Sequence, residues 1–303
     1  MPSIAAVIVT YNRAELIIAC LSAVFSQTRP PDRVILVNNA STDNTLDLLK
    51  NKGFLQKRKL EVITLTSNTG GAGGFHAGIK QACVEEFDYV WAMDDDVIPK
   101  PDALEELLRA HSTIREERVF LSSVAFDENE ALTVNVPTVN TTPVNGIYPN
   151  WAKLLDKGIV EINVSTFVSI FIPTSVIRDV GLPIKELFIW GDDTEYTLRM
   201  SKNGVKGYYV GPSRVLHLRP GIQGLDIRRE ENNERIRLYE FFYRNTLYLS
   251  KSYRTQPASI FIYKSIIRAA SCLIKQRHAL KTMTIIKGLV KGLFFKPTPE
   301  KII

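Results

Sequence analysis

The feature that most constrains the fold of this chain is a pattern repeated four times within its first hundred residues. A short apolar run stops at a polar cluster and gives way to helical spacing. Ile4–Val9 ends at Thr10-Tyr11-Asn12-Arg13, and Arg33–Val37 ends at Asn38-Asn39-Ala40-Ser41-Thr42-Asp43. Leu60–Leu65 runs into Ser67-Asn68 and a glycine-rich stretch, and Tyr89–Met93 stops at Asp94-Asp95-Asp96. Unbroken apolar runs of this length suit strands buried on both faces. Strands separated by helices pair in parallel, so the spacing predicts an α/β fold, a doubly wound, mostly parallel (mixed) sheet with helices on both faces. In such sheets the polar clusters gather along the carboxyl edge, where ligands bind.

Beyond the fourth run the pattern is irregular and strand-like from residue 124 to 168. Phe167–Ile172 and Gly207–Val210 read as further strands, and Asp192–Asn203 reads as a helix. After Asp226 the chain turns helical and basic. The expected division is therefore a body over residues 1–225 and a basic helical extension over 226–303. At 45% hydrophobic and 23% charged residues the chain can bury a core, which excludes disordered, collagen-like and disulfide-scaffold classes. Cys20, Cys83 and Cys272 form no C-x-x-C pair, which excludes a Cys-rich zinc site and suggests a reducing compartment. The N-terminal stretch has no basic n-region and reads as a first strand instead of a signal peptide.

The net charge of +6 hides an asymmetry. Residues 251–303 hold eleven Lys and Arg against Glu300 alone, a charge of +10, which leaves the first 250 residues at −4. An acidic body argues against nucleic acid as a partner. No apolar run in the extension reaches the ~20 residues of a spanning helix. Ile260–Ile274 is amphipathic, with Ile262, Tyr263, Ile266, Ile267, Ala270, Leu273 and Ile274 opposite Lys264, Arg268 and Lys275. A second such stretch spans Leu280 to Phe295. A helix packed on the body with a solvated basic face would account for this pattern. An element attracted to an anionic membrane surface accounts for the charge as well, and is the expectation here.

Three motifs carry chemistry. Adjacent carboxylates at Asp94, Asp95 and Asp96 repel unless a cation or solvent screens them. Strand alternation would aim Asp94 and Asp96 the same way, as two oxygen ligands for a hard divalent ion; a solvated strand end before Pro99 is the plainer alternative. Gly70-Gly71-Ala72-Gly73-Gly74 lets backbone approach a phosphate at a helix N-terminus, or is a flexible turn. It matches neither a Rossmann nor a Walker pattern. Trp190-Gly191-Asp192-Asp193-Thr194-Glu195 opens a helix with more acid than capping explains. His217 is either a structural histidine or, beside the acids, a third metal ligand.

Together these motifs, in this order and at strand ends, resemble the inverting nucleotide-sugar glycosyltransferases of family 2, with their GT-A fold, over about residues 4–247. The glycine-rich stretch and Ile-Trp-Gly-Asp-Asp-Thr-Glu-Tyr look most like bacterial galactofuranosyltransferases, with rhamnosyltransferases using dTDP-rhamnose as close relatives. The resemblance implies an enzyme moving a sugar, galactofuranose from UDP-galactofuranose, onto a hydroxyl of a growing cell-surface glycan such as O-antigen or capsule. It implies Mn2+ or Mg2+ held by Asp94, Asp96 and His217, and a nucleotide-sugar donor contacted by Thr10, Tyr11, Arg13, Asn38, Asn68, Gly70, Asp94 and Asp95. Asp193 is the implied general base, Asp192 orients it or the acceptor, and Trp190 and Trp151 stack on the sugars of a glycan or lipid-linked glycan. The family usually carries Asp where Asn38 stands, so base recognition departs from the pattern. A nucleotidyltransferase on a similar sheet would lack the second Asp-Asp pair. The implied location is cytoplasmic, peripheral on the inner face of the bacterial plasma membrane.

Overall fold

The computed structural model describes residues 2–133, 137–143, 146–147, 149–218 and 224–302. The four repeats become β1 (Ile4–Thr10), α1 (Ala14–Phe25), β2 (Arg33–Asn38), α2 (Thr45–Asn51), β3 (Leu60–Thr64), α3 (Gly70–Val84) and β4 (Tyr89–Asp94). There follow β5 (Val97–Pro99), α4 (Ala103–Ile114), β6 (Val119–Phe126), β7 (Thr138–Val139), β8 (Ile159–Val164), β9 (Ile170–Pro173), α5 (Thr174–Val180), α6 (Asp192–Lys202) and β10 (Lys206–His217). The sheet runs β3-β2-β1-β4-β9-β6-β10-β8-β7, with β5 paired to β10. Strands β1 to β4 are mutually parallel where they pair, as are β6 and β10, while β9 inserts antiparallel between β4 and β6. The expected mixed, mostly parallel sheet is observed.

Apolar strand residues pack against helices on both sides. Ile8, Leu36 and Trp91 join Leu21 of α1 and Leu104 of α4 in one cluster. Val7, Val37 and Ala92 join Phe75 and Ile79 of α3, Ile177 of α5 and Tyr196 of α6 in the other. The glycine-rich stretch is not a loop. It forms the first turns of α3, which therefore starts six residues before the expected His76. A Cβ on Gly74 would lie 2.4 Å from Val9 Cγ1, and one on Gly78 would lie 2.5 Å from Val7 Cγ1. These glycines bring helix against sheet.

Two strands were harder to read. The run Val119–Phe126 is a central strand not anticipated from the sequence; only its last three residues enter the 124–168 region expected to be irregular, part of which (134–136, 144–145 and 148) lies outside the described residues. Strand β10 is three times the expected length, because an irregularity between Val210 and Arg214 breaks its alternation. The extra length carries His217 to the carboxyl edge.

The extension is helical as expected: α7 (Asn233–Tyr253), α8 (Ala258–Ile274) and α9 (Ala279–Phe294). Gly288 and Gly292 let α9 approach the α7 backbone at Glu240 and Arg244. Tyr243, Leu247, Phe261, Cys272 and Ile285 form a third apolar cluster, with Trp190 of the body packed against it. The chain then returns to the body, where the Leu182 amide donates to the Glu300 carbonyl at 2.9 Å and Lys80 Nζ donates to the Glu300 carboxylate at 2.7 Å. Among the described residues no helix is long and apolar enough to cross a membrane.

Substituting Gly78→Val tests the helix–sheet contact. Valine and glycine differ by only about 0.5 kcal/mol in helix propensity, so overpacking against Val7 and Val37 decides the outcome. Urea unfolding should show a loss of about 1–3 kcal/mol; an unchanged midpoint would mean that the contact is loose.

Candidate active site

The site lies where the carboxyl ends of β1, β2, β4 and β10 meet the N-termini of α3 and α6. Strand β4 ends at Asp94, and the next two acids sit in a turn, so strand alternation does not govern their directions. Asp95 Oδ2 accepts from Thr10 Oγ1 at 2.7 Å, and Asp95 Oδ1 accepts from Arg13 at 3.0 Å. The same Arg13 nitrogen donates to Asp96 Oδ2 at 2.5 Å. The other Asp96 oxygen lies 3.3 Å from His217 Nε2. Asp96 and His217 thus meet as expected, while Asp94 makes no part of that pair. Among the described residues no three His, Cys, Asp or Glu side chains are gathered as a metal site.

The charges are unevenly balanced. Burial, then the charges of Asp96, Asp95, Asp192 and Asp193, push the Asp94 carboxyl far above the usual carboxylate range. Burial also raises Asp95, to about 6, against the pull of Arg13 and Thr10. Asp96 moves the other way, because its contacts with His217 and Arg13 outweigh its burial. Across the cleft, burial followed by repulsion from Asp193 raises Asp192 to about 8. Burial raises Asp193 as well, opposed by the Thr194 amide and hydroxyl, which donate to Asp193 Oδ1 at 2.6 and 3.3 Å. Both acids occupy the first turn of α6, where helix N–H groups favour anions. The third acid of the motif is structural: fully buried Glu195 pairs with Arg199 at 3.0 Å and accepts from Tyr253 at 2.6 Å.

The expected donor contacts are distributed as follows. Tyr11 is 40% exposed at the rim. Asn38 is buried; its Oδ1 accepts from the Ser41 amide at 3.0 Å, and its Nδ2 has no partner among the described residues. Asn68 Oδ1 accepts from the Gly70 amide at 2.8 Å and from Asn39 Nδ2 at 3.1 Å, tying β2 to the start of α3. Gly70 has φ +71°, and a Cβ there would meet the Phe188 carbonyl oxygen at 2.0 Å. Gly71 faces Asp192, whose Oδ2 would lie 3.9 Å from an added Cβ. The glycine-rich stretch is therefore no flexible turn: it brings the start of α3 close to the segment preceding α6.

That segment depends on residues not anticipated from the sequence. Phe188, Trp190 and Gly191 all have positive φ, a conformation that needs outside support in the two aromatic residues. Asn245 Nδ2, from α7, donates to the carbonyls of Leu187, Ile189 and Trp190 at 2.9, 3.0 and 2.9 Å. Arg244 donates to those of Glu186 and Leu187 at 2.6 and 3.1 Å. Trp190 itself packs toward Tyr239. Trp151 does not join it. It lines a cavity of about 160 Å³ with Glu116, Lys206 and Tyr208 at the start of β10. His217 ends that strand, and Lys206 to Leu216 spans only the seven steps from Val119 to Phe126 on β6, so Trp151 lies roughly 25 Å from the acids, at the opposite edge of the sheet.

The carboxyl shifts set a pH dependence. An Asp192 carboxyl at about 8 holds a proton in the folded protein that the unfolded chain has released above its ordinary value of 3.8. That contribution to stability is full in acid and is lost as pH rises through about 8. In chelator, the melting temperature should fall from pH 5 to alkaline pH, and Asp192→Asn should flatten the fall. Parallel profiles for the two proteins in calorimetry would show that Asp192 is ionised in the folded state.

Known proteins share this architecture. The family model described as glycosyl transferase family 2 matches residues 5–168. The galactofuranosyltransferase GlfT1 of Mycolicibacterium smegmatis is 26% identical, over 81% of this chain and 82% of its own. A Methanococcus voltae protein named dolichyl N-acetyl-alpha-D-glucosaminyl phosphate 3-beta-D-2,3-diacetamido-2,3-dideoxy-beta-D-glucuronosyltransferase is also 26% identical, over 96% of this chain and 98% of its own. Among solved structures, GalNAc-T7, crystallised with UDP, GalNAc and Mn2+, superposes with a TM-score of 0.60 at 15% identity. That match covers 85% of this chain and 52% of the GalNAc-T7 chain, and supports the GT-A fold. Matched by that family model over more than half its length, the chain belongs to glycosyl transferase family 2 and is a glycosyltransferase.

Proposed function

We propose that the protein transfers galactofuranose from UDP-galactofuranose, with inversion, onto a hydroxyl of a growing cell-surface glycan such as O-antigen or capsule. In this reading it works on the cytoplasmic side, at the inner face of a bacterial plasma membrane. The observation that carries the reading is the proximity of two acid groups, Asp94 to Asp96 at the sheet edge and Asp192-Asp193 on α6, whose charges help to raise the Asp94 carboxyl while Gly71 of α3 faces Asp192. The galactofuranosyl donor rests on the likeness to GlfT1 and on the two motifs that first suggested it.

The donor set suits a hard divalent cation: burial and the surrounding acids hold Asp94 toward its neutral form, which a cation would reverse, and Asp96 already meets a histidine of borderline character. Asp94, Asp96 and His217 would hold Mn2+ or Mg2+, which would offset the charge of the departing diphosphate. Thr10, Tyr11, Arg13, Asn68, Gly70 and Asp95 line the nucleotide side. The Asn38 Nδ2, without a partner among the described residues, offers a hydrogen bond to the base that an aspartate could not.

Inversion needs one displacement. The acceptor oxygen attacks the anomeric carbon, the bond to the diphosphate breaks, and the acceptor proton passes to Asp193. A raised carboxyl is the better proton acceptor near neutral pH. Asp192, raised to about 8, stays largely protonated and orients the acceptor or Asp193. Trp190 stands beside this pair, where its ring can stack on a sugar face.

Asp193→Asn should keep donor affinity near wild type while turnover falls by roughly 100-fold or more. Ordinary turnover would reduce Asp193 to a helix-capping role. Chelator should abolish activity, and manganese or magnesium should restore it. In parallel assays of nucleotide release, UDP-galactofuranose should outperform dTDP-rhamnose; the reverse would assign the rhamnosyl donor.

A further inference from the structure

The C-terminal hairpin presents its residues to solvent in the opposite sense from an ordinary surface helix. Helix α8 buries Phe261, Ser265, Ala269 and Cys272, a stripe of mostly small residues. Its far side exposes Ile260, Tyr263, Ile266, Ile267, Leu273 and Ile274, the last at 74%. Helix α9 buries Ile285, Gly288, Leu289 and Gly292 but exposes Met283, Ile286, Val290, Leu293 and Phe294, the last at 79%. Eleven of the nineteen large apolar side chains exposed among the described residues therefore fall between 260 and 294. Scattered exposed apolar residues need no explanation, but a contiguous patch marks an interaction surface.

The two stripes form one face. The helices are joined by residues 275–278 and touch where Thr282 Oγ1 donates to the Ala269 carbonyl at 3.0 Å. At ~100° per residue, each exposed stripe lies clockwise from the shared contact when its helix is viewed from the N-terminus. Antiparallel pairing of the helices turns both stripes to the same side. Basic residues flank the face. Lys264 and Lys275 lie along α8, and Lys287 and Lys291 lie along α9, where both reach Glu240 of α7.

We propose that this outward face of the α8–α9 hairpin docks on an anionic lipid bilayer, with the apolar stripe entering the headgroup boundary and Lys264 and Lys275 reaching the phosphates. The charge decides between occupants. Residues 251–303 carry +10, so a second copy of the hairpin would bring like charge to the contact, whereas an anionic surface brings the opposite charge. The proposal deepens the membrane-side reading above by naming the surface responsible, and its test needs no sugar donor.

The full chain should sediment with phosphatidylcholine vesicles containing phosphatidylglycerol at low salt, and less so as salt rises. Pure phosphatidylcholine should retain little. The variant Ile267→Glu/Ile274→Glu/Ile286→Glu/Phe294→Glu changes only exposed positions; its bound fraction should fall at least about tenfold while its melting temperature holds. Should that variant melt early, Ile274→Ser/Phe294→Ser provides the same comparison with smaller change. Wild-type indifference to phosphatidylglycerol vesicles at low salt, or undiminished binding by a folded variant, would overturn the proposal. So would light scattering that shows a wild-type dimer converted to monomer by the same substitutions, since the occupant would then be a second copy.

Discussion

Everything at the carboxyl edge of this sheet answers to one constraint: more carboxylates converge there than the cations of the described residues neutralise. Arg13 serves Asp95 and Asp96 together, and His217 meets the remaining Asp96 oxygen. Burial raises the carboxyls of Asp94, Asp192 and Asp193, and neighbouring acids raise the first two further. Such an arrangement costs stability in the free protein. In the proposed reaction it would receive positive charge and then handle a proton, the two demands of displacing a diphosphate with a hydroxyl.

The catalytic cleft and the helical extension are physically continuous. Three backbone carbonyls of the turn before α6 are held by the single side-chain amide of Asn245, and two by Arg244. Those residues belong to α7, whose other side is packed by the glycines of α9. The amphipathic hairpin is thus one helix away from the turn that presents Asp192 and Asp193. A surface that bears on α8 and α9 bears on a framework shared with the active site.

Much of the site was legible because its residues sit at strand ends, and strand ends can be read from apolar runs. Thr10, Arg13, Asn38 and the three acids all follow runs that became β1, β2 and β4. The acid pair of α6 was readable because two carboxylates exceed what one cap requires. The readings that shifted did so for physical reasons. Asp94 and Asp96 do not share a strand face, because β4 stops at Asp94. The glycines open a helix, because bare backbone there lets α3 close on Val7 and Val9. Trp151 was grouped with Trp190 on chemistry alone, and the direction of β10 separates them.

By itself the sequence determined the alternation of strand and helix, the edge on which polar residues gather, and the amphipathic character of the last two helices. Each is a local property, written in runs and spacings of a few residues. Only the tertiary structure decided that β9 enters the sheet antiparallel, that His217 reaches Asp96, and that Asn245 secures the turn before α6. These contacts join segments tens to more than a hundred residues apart, and no local spacing encodes them. The same holds for the hairpin: its two faces were readable, but which of them is buried depended on the small residues and glycines that fit against α7.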